Sequence, residues 1–334
     1  MKIISRKFLD KPTPTCHAST IAFHRNTPVF AWFGGNREGL PDSSIYVQYQ
    51  GEIKTLGKER QVAHWNPVLF TIKDELFLSY KIGEFCDRWQ SYIINITDIE
   101  NIDDLDKVEK QIIPAGFNFC VKTKPLIDGN DIYCGSSVET RWDWTSYIEY
   151  FVYHQGEFKW PERDIPLAVK EKKSYVYDHP VYGRAKFMSL GIIQPTLWKD
   201  KKGDINAFFR SSRGLDKIYH SRYFSDYSED IPKWSTPQPT KFDNPNSSVD
   251  VVYMDNRLFL VHNPSTTVRN PLVIKELDDE FRVVDEIEVT KEVKATEKTY
   301  SKELSYPFMV GYKGKLHLTY TYGRSFIEWV MVNI

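Results

Sequence analysis

Short apolar runs alternate with polar, turn-rich segments along the whole chain, and six of these runs follow one plan. Three of them extend from His17-Ala-Ser-Thr-Ile to Ala-Trp-Phe33, from His64-Trp-Asn-Pro-Val to Leu-Ser-Tyr-Lys81, and from Lys122-Thr-Lys-Pro-Leu to Tyr-Cys-Gly-Ser136. The others extend from Ile193-Gln-Pro-Thr-Leu to Ala-Phe-Phe-Arg210, from Asn246-Ser-Ser-Val-Asp to Phe-Leu-Val-His262, and from Leu304-Ser-Tyr-Pro-Phe to Leu-Thr-Tyr-Thr321. Each opens on polar residues, often followed by proline, and continues as a short apolar strand. Each then turns at Arg25-Asn26, Lys73-Asp74, Asp128-Gly129, Lys202-Gly203, Asp255-Asn256 or Lys313-Gly314. A second apolar strand follows, so each unit reads as a β-hairpin with turn residues where turn geometry wants them.

Starts roughly 50 to 70 residues apart leave room for about four strands per unit, the size of a propeller blade. A sandwich would not explain similar hairpins in series. The pattern predicts an all-β chain, residues 1–334 forming one six-bladed β-propeller domain. Helical periodicity is confined to Ile96 through Lys110, where a short helix is expected between the second and third blades. A propeller needs a latch to avoid an open edge, and Lys2 to Phe8 are expected to close the last blade beside Ile327 to Val332.

In an antiparallel hairpin the start of the first strand lies beside the end of the second. Radial hairpins therefore gather these positions at one mouth of the central channel. The starts supply His17, His64, Lys122 with Lys124, Gln194, Asn246, and Ser305 with Tyr306. The ends supply Trp32, Lys81, Ser136 with Ser137, Arg210, His262 and Tyr320. Otherwise apolar strands become polar at one end in every unit. Half-buried polar groups cost free energy unless satisfied, so their concentration there marks a candidate site.

Composition narrows the picture. An aromatic content of 15%, with 9 Trp and 20 Tyr, suits strands and also sugar faces. A formal net charge of −1 with no basic block argues against nucleic acid as a partner. No stretch approaches the roughly 20 apolar residues of a membrane span, and no apolar leader core follows the charged N-terminus, so a cytoplasmic protein is the default expectation. Cys16, Cys86, Cys120 and Cys134 form no CxxC pair and read as free, mostly buried thiols. His17, His64 and His262 are the histidines with metal-ligand chemistry at the mouth, but nothing in their spacing fixes a site, and neither a metal nor another cofactor is expected.

Several motifs carry a family resemblance. They are Cys16-His-Ala-Ser-Thr20, Trp32-Phe-Gly-Gly-Asn-Arg-Glu-Gly39 with Pro41-Asp42, Trp65-Asn-Pro-Val68 and Lys122-Thr-Lys-Pro125. Further on come Ser136-Ser-Val-Glu139, Ile193-Gln-Pro195, Asn244-Pro-Asn-Ser-Ser-Val-Asp250 and Ser305-Tyr-Pro307. In this order they resemble the sialidase superfamily, and within it the neuraminidase-like branch of BNR-repeat proteins. The Asp-boxes of sialidases are eroded, with remnants at Ser225 to Trp234 and Gly156 to Trp160.

The resemblance implies three arginines for a substrate carboxylate, an Asp acid/base, and a Tyr nucleophile activated by a Glu. Arg210 and Arg269 fall where the second and third arginines would be, Asp42 where the acid/base would be, and Tyr306 where the nucleophile would be. His17 stands in place of the first arginine and Gln194 in place of the activating Glu. A neutral amide cannot take the phenolic proton, so ordinary sialosides are expected to be poor substrates.

The residues themselves suggest matching chemistry. Arg210 and Arg269 can clamp a carboxylate through paired hydrogen bonds. His17 and Tyr306 suit acid/base work, while Asp42 competes between an acid/base role and a turn role after Pro41. Glu139 and Asp250 are second carboxylates for a pair with Asp42. Arg37, His64, Lys124, Gln194 and His262 complete the expected substrate contacts. The reading is a sialidase-like exo-glycosidase acting on a terminal acidic sugar, ulosonic or uronic. A polysaccharide lyase for uronate-containing glycans and a non-catalytic glycan-binding propeller stay open beside it.

Overall fold

Alternation of β-branched and aromatic residues between tight turns builds the chain into six four-stranded antiparallel sheets. The computed structural model describes residues 1–58, 62–140, 144–163, 175–179, 183–188, 190–223, 234–294 and 298–334. The first blade runs outward from Thr15–His24 to Glu52–Leu56, the second from His64–Ile72 to Lys110–Ile112, and the third from Leu126–Asp128 to Glu157–Arg163. The fourth runs from Ile192–Lys199 to Gln238–Asp243 and the fifth from Asp250–Met254 to Val283–Thr290. The sixth is built from Leu304–Tyr312, Lys315–Tyr322 and Phe326–Asn333, and Lys2–Phe8 adds its outermost strand. The fold is a six-bladed β-propeller, closed as the sequence suggested, with Arg6 opposite Val330 and Phe8 opposite Glu328.

Between the third and fourth blades, where hairpin starts are farthest apart, Tyr175–His179 and Gly183–Met188 pair as a separate two-stranded sheet. The repeat gave no sign of this insertion. The helix expected over Ile96 to Lys110 does not form. One 3-10 turn, Leu105–Lys107, is capped by Asp104, and Lys110–Ile112 becomes the outer strand of the second blade. Ile96, Ile99 and Leu105 are buried in the apolar cluster shared by the first two blades, which outweighs their helical spacing. The four cysteines are free, with Cys16, Cys120 and Cys134 buried and Cys86 exposed.

Two features of the inner strands position the site. The first is a bulge shared by four blades. Register shifts fall between His17 and Thr20, Trp65 and Val68, Ile193 and Thr196, and Ser305 and Phe308. Within them Ala18, Asn66, Gln194 and Tyr306 hold left-handed backbone, with φ of 50°, 41°, 53° and 53°. Such conformations cost on the order of 1–3 kcal/mol each for non-glycine residues, and bulges of this kind re-aim side chains. Pro67, Pro195 and Pro307 follow three of these residues, and a bulge tolerates their missing N–H.

The second feature is a charged node linking four blades. The Asp250 carboxylate, fully buried, accepts hydrogen bonds from Lys124 Nζ at 2.8 and 2.9 Å and from Thr196 Oγ1 at 2.7 Å. It also accepts from the backbone N–H of Val251 at 2.9 Å and of Met309 at 2.7 Å. These donors come from the third, fourth, fifth and sixth blades. A buried charge this well satisfied fixes how the blades meet.

Candidate functional site

Gln194 and Tyr306 open the inner strands of the fourth and sixth blades, and their bulges bring them together. The Gln194 amide nitrogen lies 3.5 Å from the Tyr306 hydroxyl and 3.3 Å from Glu139 Oε1. Arg210, at the end of the fourth blade's second strand, donates from Nη1 to Gln194 Oε1 at 3.0 Å and to the Tyr306 hydroxyl at 3.1 Å. Its Nε donates to Asn246 Oδ1 at 2.9 Å. Arg210 is buried, yet among the described residues its hydrogen-bond partners are all neutral. Five N–H groups on a guanidinium leave part of this fork for a ligand. Burial pushes the Glu139 carboxyl above the ordinary range, although Arg210 and hydrogen bonds from Ser137 and Gln194 oppose the shift.

Two further arginines join from loops that follow second strands. Arg269 Nη2 donates to the Asn246 carbonyl at 2.8 Å, and its Nη1 lies 3.4 Å from Glu303 Oε1. Arg324 Nε donates to the same Glu303 oxygen at 2.7 Å, and its Nη1 pairs with Glu38. Burial pushes the Glu303 carboxyl up, but Arg269 and Arg324 outweigh it and hold the group below the usual carboxylate range. Arg210 touches the Tyr306 hydroxyl itself, while Arg269 and Arg324 join the same cluster through Asn246 and Glu303, which Arg210 and Ser305 respectively also contact. Arg324 and Glu303 were not among the expected site residues. Their signal was available, because Arg324 follows the sixth hairpin as Arg269 follows the fifth.

His17 forms part of the floor. Its ring centroid lies 4.1 Å from that of Tyr306, and Nδ1 shares a 3.0 Å hydrogen bond with Thr321 Oγ1. Burial, followed by the charges of Arg324, Arg269, Lys122 and Arg210, holds its pKa well below the ordinary histidine value. His17 is thus a neutral support beneath Tyr306, and its Nε2 is buried without a hydrogen-bond partner among the described residues. Lys122 is also buried, with Nζ 3.3 Å from the Pro307 carbonyl and 5.7 Å from the Tyr306 ring centroid. Burial lowers its pKa to about 7.

Aromatic rings lie near the cluster. Trp65 packs 5.8 Å from Phe33 and 6.3 Å from Trp89, and Tyr306 packs against the same apolar cluster. The Trp144 ring centroid lies 5.7 Å from the Arg210 guanidinium carbon. Arginines with a ring face beside them, as at Arg210 and Trp144, suit an anionic sugar.

The structure brings Glu139, Gln194, Arg210, Arg269 and Tyr306 together, with His17 below them. Most of the other expected residues have partners elsewhere, while Asp42 braces the loop whose Glu38 pairs with Arg324. Lys124 and Asp250 satisfy each other in the blade-linking node. His64 turns back to the Val62 carbonyl at 3.1 Å and stacks near Tyr80, while His262 meets the Asp243 carbonyl at 3.3 Å. Alternation along a strand explains both, since one step of register reverses the face a side chain takes. Trp32 and Tyr320 are core residues for the same reason. Asp42 accepts the Asn36 N–H at 2.7 Å and holds the loop that carries Arg37, which is exposed. Of the Asp-box remnants, residues 225–233 lie outside the described residues, and Trp160 packs against the core.

Comparison with known proteins agrees with this fold. A family model described as a BNR repeat-like domain matches residues 27–319. No curated protein matches the chain. Among solved structures, a protein of unknown function from Dyadobacter fermentans DSM 18053 superposes with a TM-score of 0.68 at 14% identity, covering 100% of this chain and 99% of that one. The Hadza microbial sialidase Hz136 superposes with a TM-score of 0.58 at 8% identity, over 96% of this chain and 66% of that one. Trypanosoma rangeli sialidase, in a covalent-intermediate complex with 2,3-difluorosialic acid, gives 0.60 at 11% identity, over 97% of this chain and 54% of that one. At these identities the likeness is one of fold.

Proposed function

The chain belongs to the BNR repeat-like domain family, and from that premise we propose that its mouth hydrolyses glycans ending in an acidic sugar, an ulosonic or a uronic acid. The observation that supports this most is the cluster in which Arg210 contacts Tyr306 and is linked through Asn246 and Glu303 to Arg269 and Arg324. A buried guanidinium with neutral hydrogen-bond partners, as at Arg210, is stabilised by an incoming carboxylate. Arg324 supplies the third cation that His17 does not. Trp144, beside Arg210, would offer a ring face to the sugar.

Tyr306 is the nucleophile in this reading. Donors from Arg210 and Gln194 fix its oxygen, which would bond to the anomeric carbon as the aglycone leaves. The trypanosomal sialidase captured as a covalent intermediate offers the analogy. Gln194 cannot accept the phenolic proton, but Glu139 accepts from the same amide nitrogen, and burial makes it a stronger base than an ordinary carboxylate. A water between them would carry the phenolic proton to Glu139, and the departing aglycone oxygen would take a proton from solvent. A second water would then cleave the tyrosyl–sugar bond, returning a proton to the phenol oxygen as Glu139 releases its own to solvent. Asp42 serves the rim loop, and His17 keeps the phenol in position from below.

The test is incubation with a panel of glycans ending in acidic sugars, with mass analysis of the products. Release of the terminal sugar with the elements of water, abolished in Tyr306→Phe, is expected. A product lighter by one water and absorbing in the ultraviolet would replace hydrolysis with elimination. Binding without turnover would replace catalysis with glycan recognition.

A further inference from the structure

Three consecutive residues ahead of the third blade, Lys122, Thr123 and Lys124, reach three other blades at once. Lys124 Nζ pairs with Asp250 of the fifth blade at 2.8 Å. Thr123 Oγ1 donates to the Pro195 carbonyl of the fourth blade at 2.5 Å, and Lys122 Nζ donates to the Pro307 carbonyl of the sixth at 3.3 Å. Pro195 and Pro307 directly follow Gln194 and Tyr306, the residues with left-handed backbone in their bulges. The segment therefore grips both bulges that aim the site's side chains. Lys122 is its costly member. It is 1% exposed, and among the described residues no carboxylate lies within ion-pair distance of it. The Asp250 carboxylate is held by Lys124 instead. The Lys122 ammonium has one carbonyl and two ring faces, Tyr306 at 5.7 Å and Phe308 at 5.0 Å. A buried cation so thinly compensated costs stability, and folds keep such costs chiefly where function needs them.

We propose that Lys122 is a positioning residue for Tyr306, fixing its bulge through the Pro307 carbonyl and supplying the positive charge that stabilises the phenol oxygen as its proton leaves. This rests on the reading of Tyr306 as the nucleophile and adds the residue that prepares it. Of the charged groups that face Lys122, Asp250 favours its protonated form and Lys124 opposes it, while His17 is held neutral. Arg210, 5.7 Å from the same Tyr306 ring, stays charged throughout. Because burial brings Lys122 to about 7, its charge is present below neutrality and lost above it. The help it gives Tyr306 follows the same course.

The experiment is nitration by tetranitromethane, which attacks ionised phenols, with peptide mass mapping of Tyr306 from pH 6 to pH 9. It needs no substrate. At pH 6 wild type should nitrate Tyr306 at least about tenfold faster than Lys122→Met, and by pH 9 the two rates should agree within about twofold. A residue that only propped the bulge would give a ratio independent of pH. Lys122→Arg keeps its charge at pH 9 and should there react about tenfold faster than wild type, so it carries the comparison if the methionine variant does not fold. The other mapped tyrosines should react at wild-type rates in both variants, which shows that the fold is unaffected. A Tyr306 ratio near one at pH 6, or one that does not change with pH, overturns the proposal and leaves the hydrolase reading to its glycan panel. The expected ratios without turnover of any glycan uphold the coupling of Lys122 to Tyr306 and overturn hydrolysis alone.

Discussion

Asp250→Asn is the sharpest test of how the blades are held. The substitution keeps the shape of the side chain and removes its charge. One oxygen can still accept from Thr196 and from the Val251 N–H. The other becomes an NH2 group facing the Met309 N–H and the Lys124 ammonium, so donors oppose donors. Breaking a buried ion pair from one side typically costs about 3–5 kcal/mol. Lys124 is 22% exposed at its side chain and recovers some hydration, which moves the expectation to about 3 kcal/mol. For a chain of 334 residues that corresponds to a fall in Tm of roughly 4 °C. Urea denaturation followed by tryptophan fluorescence measures the free energy directly. Lys124→Met combined with Asp250→Asn should cost less than the sum of the single changes, because each removes the other's stranded partner. A loss below about 0.5 kcal/mol, within the scatter of ordinary surface substitutions, would refute the claim that this pair is structural.

Two other predictions follow from the fold. Deleting residues 1–8 removes the sixth blade's outer strand and exposes the edge of Phe326–Asn333, so Tm should fall by more than about 5 °C and aggregation should increase; an unchanged melting curve and unchanged solubility would count against the latch. His262, whose pKa burial lowers to about 3, contributes to the pH dependence beside His17, His220 and His317, which burial also lowers. Above the ordinary histidine pKa of roughly 6.5 both folded and unfolded states hold it neutral, and it has no effect on the pH dependence. As pH falls below that value the unfolded chain binds a proton that the folded chain refuses, so stability drops until the folded pKa is reached. At pH 5 the deficit is on the order of 2 kcal/mol for this residue. His262→Gln should make the fall in stability between pH 7 and pH 5 shallower by that amount, and an equally steep fall in the variant would show that His262 does not contribute to it.

Much of the architecture was legible in the chain because hairpin turns need particular residues and blades repeat. The same hairpin logic located Arg210, Gln194 and Tyr306 at one mouth. What it missed depended on geometry finer than hairpin spacing. His64 and His262 sit at strand ends as expected, but alternation turns them to blade interiors. Lys124 and Asp250 read as ligand contacts because a polar residue at a channel mouth and one satisfied across the channel look identical in sequence. The left-handed backbone at Gln194 and Tyr306 left no trace beyond the proline that follows each. Arg324 has no counterpart in the resemblance, which sets the first arginine in the first blade, where His17 stands, whereas the loop after the sixth blade's second strand brings Arg324 to Glu303. The helix expected after Ile96 failed because its apolar residues had a better site in the core.

The central claim is that three arginines around Tyr306 recognise a sugar carboxylate, and calorimetric comparison of one acidic monosaccharide with its methyl ester tests it most directly. The ester keeps the ring and hydroxyls and loses only the charge. Wild type should bind the free acid at least about tenfold more tightly, the size of one charge-assisted hydrogen bond at its weaker end. Arg210→Lys should lose most of that preference because an ammonium cannot reproduce the fork. Equal affinity of wild type for the acid and the ester would contradict the account.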